Sequence, residues 1–242
     1  MGETLSVPDP LADLALLPGV PSAVATATAA VDAVLRDRGR RQWSQTQVGQ
    51  ARAAAARANA ELTGEPERWL PGALRLATEL EPLAALVRSV PAQALARADL
   101  LVARGVIDDV ELGRRVGGPE VAARMAGLME LLTGVSTASS LVLGAVVHAE
   151  IAVLQPFGSA SGLVARGAEQ LVLVAAGLDP AGVLVVPAGH RDSGAAYAAG
   201  LAAYTEGRRV GVTQWIVHCC AAVARGAERL AEIGAGGPSA TS

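Results

Sequence analysis

Apolar residues recur every three or four positions along most of the chain, which is the spacing of an amphipathic helix. The first start signal is Asp9 followed by Pro10, an N-cap residue with proline at the first helical position. Ser22 is a second N-cap candidate. Gly and Pro residues favour helix boundaries between the segments that follow. The further helices predicted in this half of the chain cover 45–61, 71–88 and 92–104.

The second half continues the helical pattern with longer apolar runs. One helix is predicted at 119–133, and the next begins after Ser139 or Ser140. That helix ends at Leu154, because Pro156 disfavours a helical residue before it. The later predicted helices cover 163–176, a segment from about 192 with Tyr197, Leu201 and Tyr204 on one face, and a last helix with Ile216, Cys220, Val223, Ala227 and Leu230 inward. Together these patterns predict a mainly α fold.

Composition supports helix-on-helix packing and argues against a membrane. Hydrophobic residues make up 51% and aromatic residues 2% of the 242 residues, so Ala, Val and Leu supply the apolar volume. Mean hydropathy is +0.37, but the longest apolar runs are interrupted, as 141–154 is by His148 and Glu150. Such runs fall short of the roughly 20 apolar residues that span a bilayer. No secretory signal is evident in the first residues, and we expect a cytoplasmic protein.

The charge of the chain argues against a nucleic-acid partner. The formal net charge is -3, every basic residue is Arg, and the only dense basic run is 36–41. This Arg- and Ala-rich composition is typical of a GC-rich bacterial genome. Cys219 and Cys220 are neighbours in one apolar helix and project in different directions. They are predicted to be packing residues, and no metal site is expected.

The helical pattern is interrupted between residues 105 and 119, where four glycines lie among polar and charged residues. This pattern favours a loop or a small β-hairpin and leaves the choice open. Either form is placed to cover a site. The predicted organisation is an N-terminal helical region at 1–89, a helical core at 90–233 and a Gly-, Pro- and Ser-rich flexible tail at 234–242.

A loop of small residues precedes one of the core helices. Gly158, Ser159, Ser161 and Gly162 lie before a helix that carries Arg166 near its start. Free backbone amides and the helix dipole favour an anion at such a place, and an arginine would add a guanidinium. The residues alone also fit an ordinary interhelical loop, and both interpretations remain open.

Residues 155–166 read Gln-Pro-Phe-Gly-Ser-Ala-Ser-Gly-Leu-Val-Ala-Arg. This string resembles the signature of the Fic (Fido) family, His-Pro-Phe-x-Asp/Glu-Gly-Asn-Gly-Arg-x-x-Arg. The matching positions are Pro156, Phe157, Gly162 and Arg166. The resemblance extends over about 90–230 and implies a Fic-like helical bundle, in which Phe157 packs beneath the loop. It leaves open whether 105–119 form the family's flap.

The departures from the signature concern its chemistry. The family's general base is a histidine, and Gln155 stands in its place; glutamine cannot accept the proton. Ser159 replaces the acidic residue that holds magnesium, and Leu163 replaces the first arginine, which grips the phosphates of ATP. General-base catalysis is worth on the order of 100- to 10,000-fold, and metal charge adds several kcal/mol.

These losses imply a Fic-like pseudoenzyme that is silent in AMP transfer. The expected role is regulatory or protein-binding, with ATP, another nucleotide or an anion at the residual loop and with a homodimer left open. The alternative is a nucleotide- or phosphate-compound-dependent transferase or hydrolase in which another residue, with His148 as the candidate, supplies the base.

Two site candidates keep a second interpretation. His148 lies seven residues before Gln155, on the same helical face, so it either points toward the loop or is a hydrogen-bonded structural residue. Arg166 either binds a phosphate or pairs with Glu150 or Glu169.

Overall fold

The structure is a computed structural model, which describes residues 9–36, 43–108, 110, 112 and 116–235. Within these residues the chain forms twelve α-helices and no strand, which confirms the mainly α prediction. No helix in these ranges is long and apolar enough to cross a membrane. The helices are α1 (Pro10–Ala15), α2 (Val20–Leu35), α3 (Gln45–Glu61), α4 (Pro66–Thr78), α5 (Leu80–Val87), α6 (Pro91–Ala103), α7 (Pro119–Thr133), α8 (Ser140–Leu154), α9 (Ser161–Ala175), α10 (Val186–Asp192), α11 (Ala195–Thr205) and α12 (Arg209–Ala235).

The N-terminal caps confirm one prediction and correct another. Asp9 caps α1, and its side chain accepts hydrogen bonds from the backbone amides of Leu11 and Ala12. Ser22 does not cap α2, because that helix already begins at Val20 after Gly19. Gly19 adopts a left-handed conformation with φ 89°, which turns the chain directly into the helix. Ser22 lies in the first turn and donates to the carbonyl of Gly19 at 2.9 Å.

Residues 66–103 form three helices where two were predicted. The first begins at Pro66, since proline is tolerated at the first helical position, where its missing N–H has no intrahelical partner. It ends at Thr78, four residues before Pro82. Because a proline ring clashes with the carbonyl four residues earlier, the helix breaks and α5 begins at Leu80.

Helix α9 lies at the centre of the core. It packs against α8 and α5, with further contacts to α3, α4, α6 and α10. Almost every residue of α9 is buried, so the helix is enclosed on all sides. Four of these buried residues are polar: Ser161, Arg166, Glu169 and Gln170. Buried polar groups need partners, so the neighbouring helices must supply them.

The long helix α12 closes the core against α2, α8, α10 and α11. The five residues predicted to face inward are all buried, which confirms that prediction. Its contact with α10 is close because Gly189 approaches the backbone of Ala222. The helix includes Gly234, where the flexible tail was predicted to start, and 236–242 lie outside the described residues. Most of the basic run 36–41 lies outside them as well.

The segment at 105–119 lies beside the loop at Gln155. Its described part holds one isolated bridge, between Arg104 and Ile107, and no strand of a hairpin. Residues 109, 111 and 113–115 lie outside the described ranges. The backbone amide of Val116 donates to the carbonyl of Pro156 at 2.9 Å. This hydrogen bond ties the segment to the loop that follows α8.

Candidate functional site

The loop between α8 and α9 is shorter than the sequence suggested. Gln155 ends α8 in a left-handed conformation with φ 49°, and a short 3-10 helix covers Gly158–Ala160. Helix α9 then begins at Ser161, two residues before the predicted start, because the 3-10 turn runs directly into it. Ser161 and Gly162 therefore belong to the first turn of a helix instead of the loop.

The predicted anion-binding residues separate into two groups. Gly158 and Ser159 face an open pocket. Ser161 is buried, and its Oγ accepts a hydrogen bond from the amide of Phe157 at 2.9 Å. Gly162 covers the guanidinium of Arg166, whose Nη1 would lie 3.4 Å from a Cβ at that glycine. The four predicted loop residues and Arg166 therefore do not converge on one anion position. Anion binding by the loop stays a prediction.

The pocket beside the loop has a volume of about 600 Å³ and is open to solvent. Its size falls in the range of ligand-binding pockets, about 300–1,000 Å³. Gln155 is exposed but is not part of its wall, whereas Phe157 is buried and forms part of it. The lining combines charged, apolar and loop residues: Arg68, Asp99, Ala103, Val106, Ile107, Asp108, Leu112, Val116, Phe157, Gly158 and Ser159.

Arg166 is buried in the core and is bonded on all three of its nitrogens. Nε donates to the Oδ1 of Asn59 at 2.6 Å, and Nη2 donates to the backbone carbonyl of Asn59 at 3.2 Å. Nη1 donates to the phenol oxygen of Tyr197 at 3.0 Å. Neither predicted carboxylate partner bonds to it, because Glu150 is held by Arg124 and Tyr204. Glu169 has partners of its own.

Glu169 binds two histidines with one oxygen. Its Oε2 lies 2.8 Å from the Nδ1 of His148 and 2.8 Å from the Nε2 of His190, and all three side chains are buried. His148 continues the chain through its Nε2, 2.9 Å from the phenol oxygen of Tyr197. His148 is therefore a core residue outside the pocket, as its structural interpretation predicted.

The chain of hydrogen bonds reaches the surface through a third histidine. The Nδ1 of His190 lies 3.1 Å from the Nε2 of His218, which is half-buried on α12. The three histidines of the protein thus all belong to one network. It runs, in order, through Asn59, Arg166, Tyr197, His148, Glu169, His190 and His218.

Charge and burial fix where the protons lie. Burial raises the pKa of Glu169, but its attraction to His190 and His148 and their hydrogen bonds outweigh that effect, and the net pKa is below its usual range. Burial lowers the pKa of His148 to about 4. Glu169 is therefore a carboxylate that accepts an N–H from each histidine, and the Nε2 of neutral His148 accepts the O–H of Tyr197.

A fourth side chain reaches the same centre from α12. Cys219 is buried and lies beside the histidine–glutamate cluster, where its Sγ, one nitrogen of His148, one nitrogen of His190 and one oxygen of Glu169 all lie within 4.8 Å of one another. Cys220, the next residue, is buried but is not part of this group. The cluster joins one residue from each of α8, α9, α10 and α12.

Sequence reasoning missed this cluster. It treated Cys219 as packing and did not place Glu169, His190 or Tyr197 together, because helical periodicity indicates which residues are buried and not which of them meet. One usable signal was present. Glu169 stands in a largely apolar helix, and a buried carboxylate is rare unless it is paired.

Comparison with known proteins does not place the chain in a family. No protein-family model matches it, and no curated protein matches it.

The buried histidine predicts an acid-sensitive fold. Neutral His148 has a pKa of about 4 when folded against an ordinary 6.5, so the unfolded chain binds its proton first as pH falls. Its contribution to stability is complete above about pH 6.5 and decreases toward pH 4. We expect the protein to lose about 1 kcal/mol of stability through this group between about pH 7.5 and 5.5.

Urea unfolding followed by circular dichroism at a series of pH values measures this loss. His148→Gln removes the group and should flatten part of the profile, while the share of His218, whose pKa burial also lowers to about 4, remains. An identical pH slope in wild type and His148→Gln would show that His148 is not held neutral.

Proposed function

We propose that this chain is a Fic-like binding module that is silent in AMP transfer and takes a segment of a protein partner in the pocket beside the motif loop. The observation that carries the proposal is the identity and exposure of Gln155 at the signature's general-base position. Its amide cannot accept a proton from a hydroxyl group of a target.

The arrangement of the other signature positions supports the same conclusion. The surviving arginine, Arg166, is buried with its nitrogens bonded to Asn59 and Tyr197, so it is not directed at phosphates in the pocket. Ser159 is exposed but offers a hydroxyl where magnesium would need a carboxylate. A base, a metal ligand and a phosphate clamp are therefore all missing from the signature positions.

The loop keeps features of a binding site although it lacks those of a catalyst. Gln155 is the only non-glycine with positive φ among the described residues, a conformation that costs about 1–2 kcal/mol. Such strain concentrates at functional sites. The adjoining pocket combines apolar side chains, such as Val106 and Leu112, with the charged Arg68 and Asp108. A mixed wall of this kind fits a side chain and neighbouring backbone of a protein segment.

An ATP titration and an AMP-transfer assay test the silent signature. We expect no heat beyond dilution when ATP is added with or without magnesium, and no labelled AMP on the protein or on added proteins. Saturable binding together with transfer would overturn the proposal. If ATP does bind, Arg68→Ala tests whether it binds in the pocket, because Arg68 is the only described arginine in the pocket wall. Arg57→Ala, which changes an exposed arginine outside the pocket, is the control and should leave the binding unchanged.

The binding role has its own test in matched surface variants. Val106→Asp places a charge in the pocket wall, whereas Val135→Asp changes a side chain that is 98% exposed and outside the pocket. A partner that wild type and Val135→Asp retain in solution and Val106→Asp loses supports the pocket as the binding surface. Equal retention by both variants places the interaction elsewhere.

A second function, an enzyme of altered chemistry, is favoured by carboxylates in the pocket. Asp99 and Asp108 both line it and are candidates for a base on a phosphate compound, in place of the buried His148. Turnover of a panel of nucleotides and phosphate esters, abolished by Asp108→Asn and unaffected by Val135→Asp, would establish this function instead of the binding role.

A further inference from the structure

The buried cluster around Glu169 has the composition of a metal site. It offers two imidazole nitrogens, one carboxylate oxygen and one sulfur, from residues that are at most 1% exposed. Imidazole and thiolate ligands suit Zn²⁺ and similar transition ions, whereas Mg²⁺ and Ca²⁺ prefer oxygen alone. We propose that the chain binds one tetrahedral divalent ion of the Zn²⁺ class at the centre of its core. The ligands are His148, Glu169, His190 and Cys219.

The distances within the cluster are close to those that coordination requires. The Oε2 of Glu169 lies 2.8 Å from the Nδ1 of His148 and 2.8 Å from the Nε2 of His190. No two of the four ligand atoms are more than 4.8 Å apart. Ligand atoms about 2.0–2.3 Å from a tetrahedral ion lie roughly 3.3–3.7 Å apart. The observed separations bracket that range, so side-chain adjustments of about an ångström bring the four atoms around one ion.

The four ligands balance the charge of the ion. Zn²⁺ with one carboxylate and one thiolate has no net charge, and a neutral group is less costly to bury than an isolated charge. Coordination requires the Cys219 sulfur to lose its proton, which leaves to solvent, while Glu169 binds as the carboxylate whose Oε2 already faces two ring nitrogens at 2.8 Å. The net release is one proton per ion bound.

Each histidine has an acceptor for the ring proton that coordination displaces. When Nδ1 of His148 binds the ion, its proton moves to Nε2, which faces the oxygen of Tyr197 at 2.9 Å. When Nε2 of His190 binds, the proton moves to Nδ1, which faces the Nε2 of His218 at 3.1 Å. His218 then carries its own proton on Nδ1, so that its Nε2 accepts. Outer hydrogen bonds of this kind orient metal-bound histidines. The net proton count of each ring is unchanged.

The position of the site indicates a structural ion. All four ligands come from the protein and all are buried, whereas a catalytic zinc keeps an open position for water. The ring of Trp215 lies edge-on to His148, with centroids 5.0 Å apart, and adds an apolar wall. One ion would join α8, α9, α10 and α12 and stabilise the folded state by mass action.

Cobalt titration with paired cysteine variants tests the site. Protein freed of metal by a chelator is titrated with Co²⁺, and we expect the intense visible bands of tetrahedral cobalt and a near-ultraviolet thiolate charge-transfer band, saturating at one ion per chain. Cys220→Ser should retain both signals, and Cys219→Ser should lose the charge-transfer band. Zn²⁺ should displace the bound cobalt. Added to the apoprotein in weak buffer, Zn²⁺ should release one proton per chain and raise Tm.

Several outcomes would overturn the proposal. These are the absence of tetrahedral bands in the wild type, a charge-transfer band that persists in Cys219→Ser, or equal loss in both cysteine variants while circular dichroism shows them folded. If Cys219→Ser does not fold, Glu169→Gln takes its place: it keeps the shape of the side chain and should weaken cobalt binding at least tenfold while the thiolate band remains at saturation. Unchanged affinity in that variant excludes Glu169 and with it the proposed site.

Discussion

We expect Gly189→Ala to lower the free energy of unfolding by about 3 kcal/mol or more. The added Cβ would lie 2.0 Å from the carbonyl oxygen of Ala222 and 2.7 Å from its carbonyl carbon. Overpacking a core costs about 1–3 kcal/mol, and a clash with backbone falls at the upper end because no side chain can rotate away. Helix α10 must therefore move off α12, and the hydrogen bond from His190 to Glu169 moves with it.

Gly127→Ala is the matched control, since it also lies within a helix but a Cβ there meets nothing within 4 Å. It should leave stability unchanged or raise it by about 0.5–1 kcal/mol, because alanine favours helix over glycine. Both variants are compared by urea unfolding under metal-free conditions. A cost below about 1 kcal/mol for Gly189→Ala would mean that the two helices are not in backbone contact.

The helices could be predicted where their end signals are local. The predicted helix at 45–61 agrees with the structure to the residue. Both of its ends are marked locally, by a capping box of Ser44 and Gln47 and by a turn with Gly64. One error arose where a signal acts at a distance of several residues. Pro82 ends α4 at Thr78 by the clash of its ring with an earlier carbonyl. This stop signal is hard to recognise in the sequence, because Pro82 lies four residues beyond the end of α4 and inside the predicted helix 71–88.

The candidate site was predictable only where it is continuous in sequence. The loop with Gly158 and Ser159 was located from its composition, and both residues do face a pocket. Most of the opposite wall comes from described residues between Asp99 and Val116. The sequence indicated only that 105–119 could cover a site, not which residues would line it. The same limit explains the missed cluster, whose ligands Glu169 and Cys219 lie fifty residues apart on different helices.

Arg166 shows how a signature residue can have a structural environment that its motif does not reveal. The resemblance implied a phosphate ligand, but the guanidinium joins α9 to Asn59 on α3 and to Tyr197 on α11. It also lies close enough to His148 for its positive charge to lower the pKa of that histidine. Its burial makes it part of the core that positions the histidines.

We therefore expect Arg166→Met to lower the free energy of unfolding by about 3–5 kcal/mol, because it leaves two buried acceptors, the Oδ1 and the backbone carbonyl of Asn59, without a donor. Arg97→Met is the control. It removes an arginine that pairs with Glu79 at the surface and should cost at most about 1 kcal/mol. Urea unfolding of the metal-free proteins compares the two. If Arg166→Met were as stable as Arg97→Met but lost ATP binding that the wild type shows, Arg166 would be a ligand residue after all, and the structural role assigned to it would be wrong.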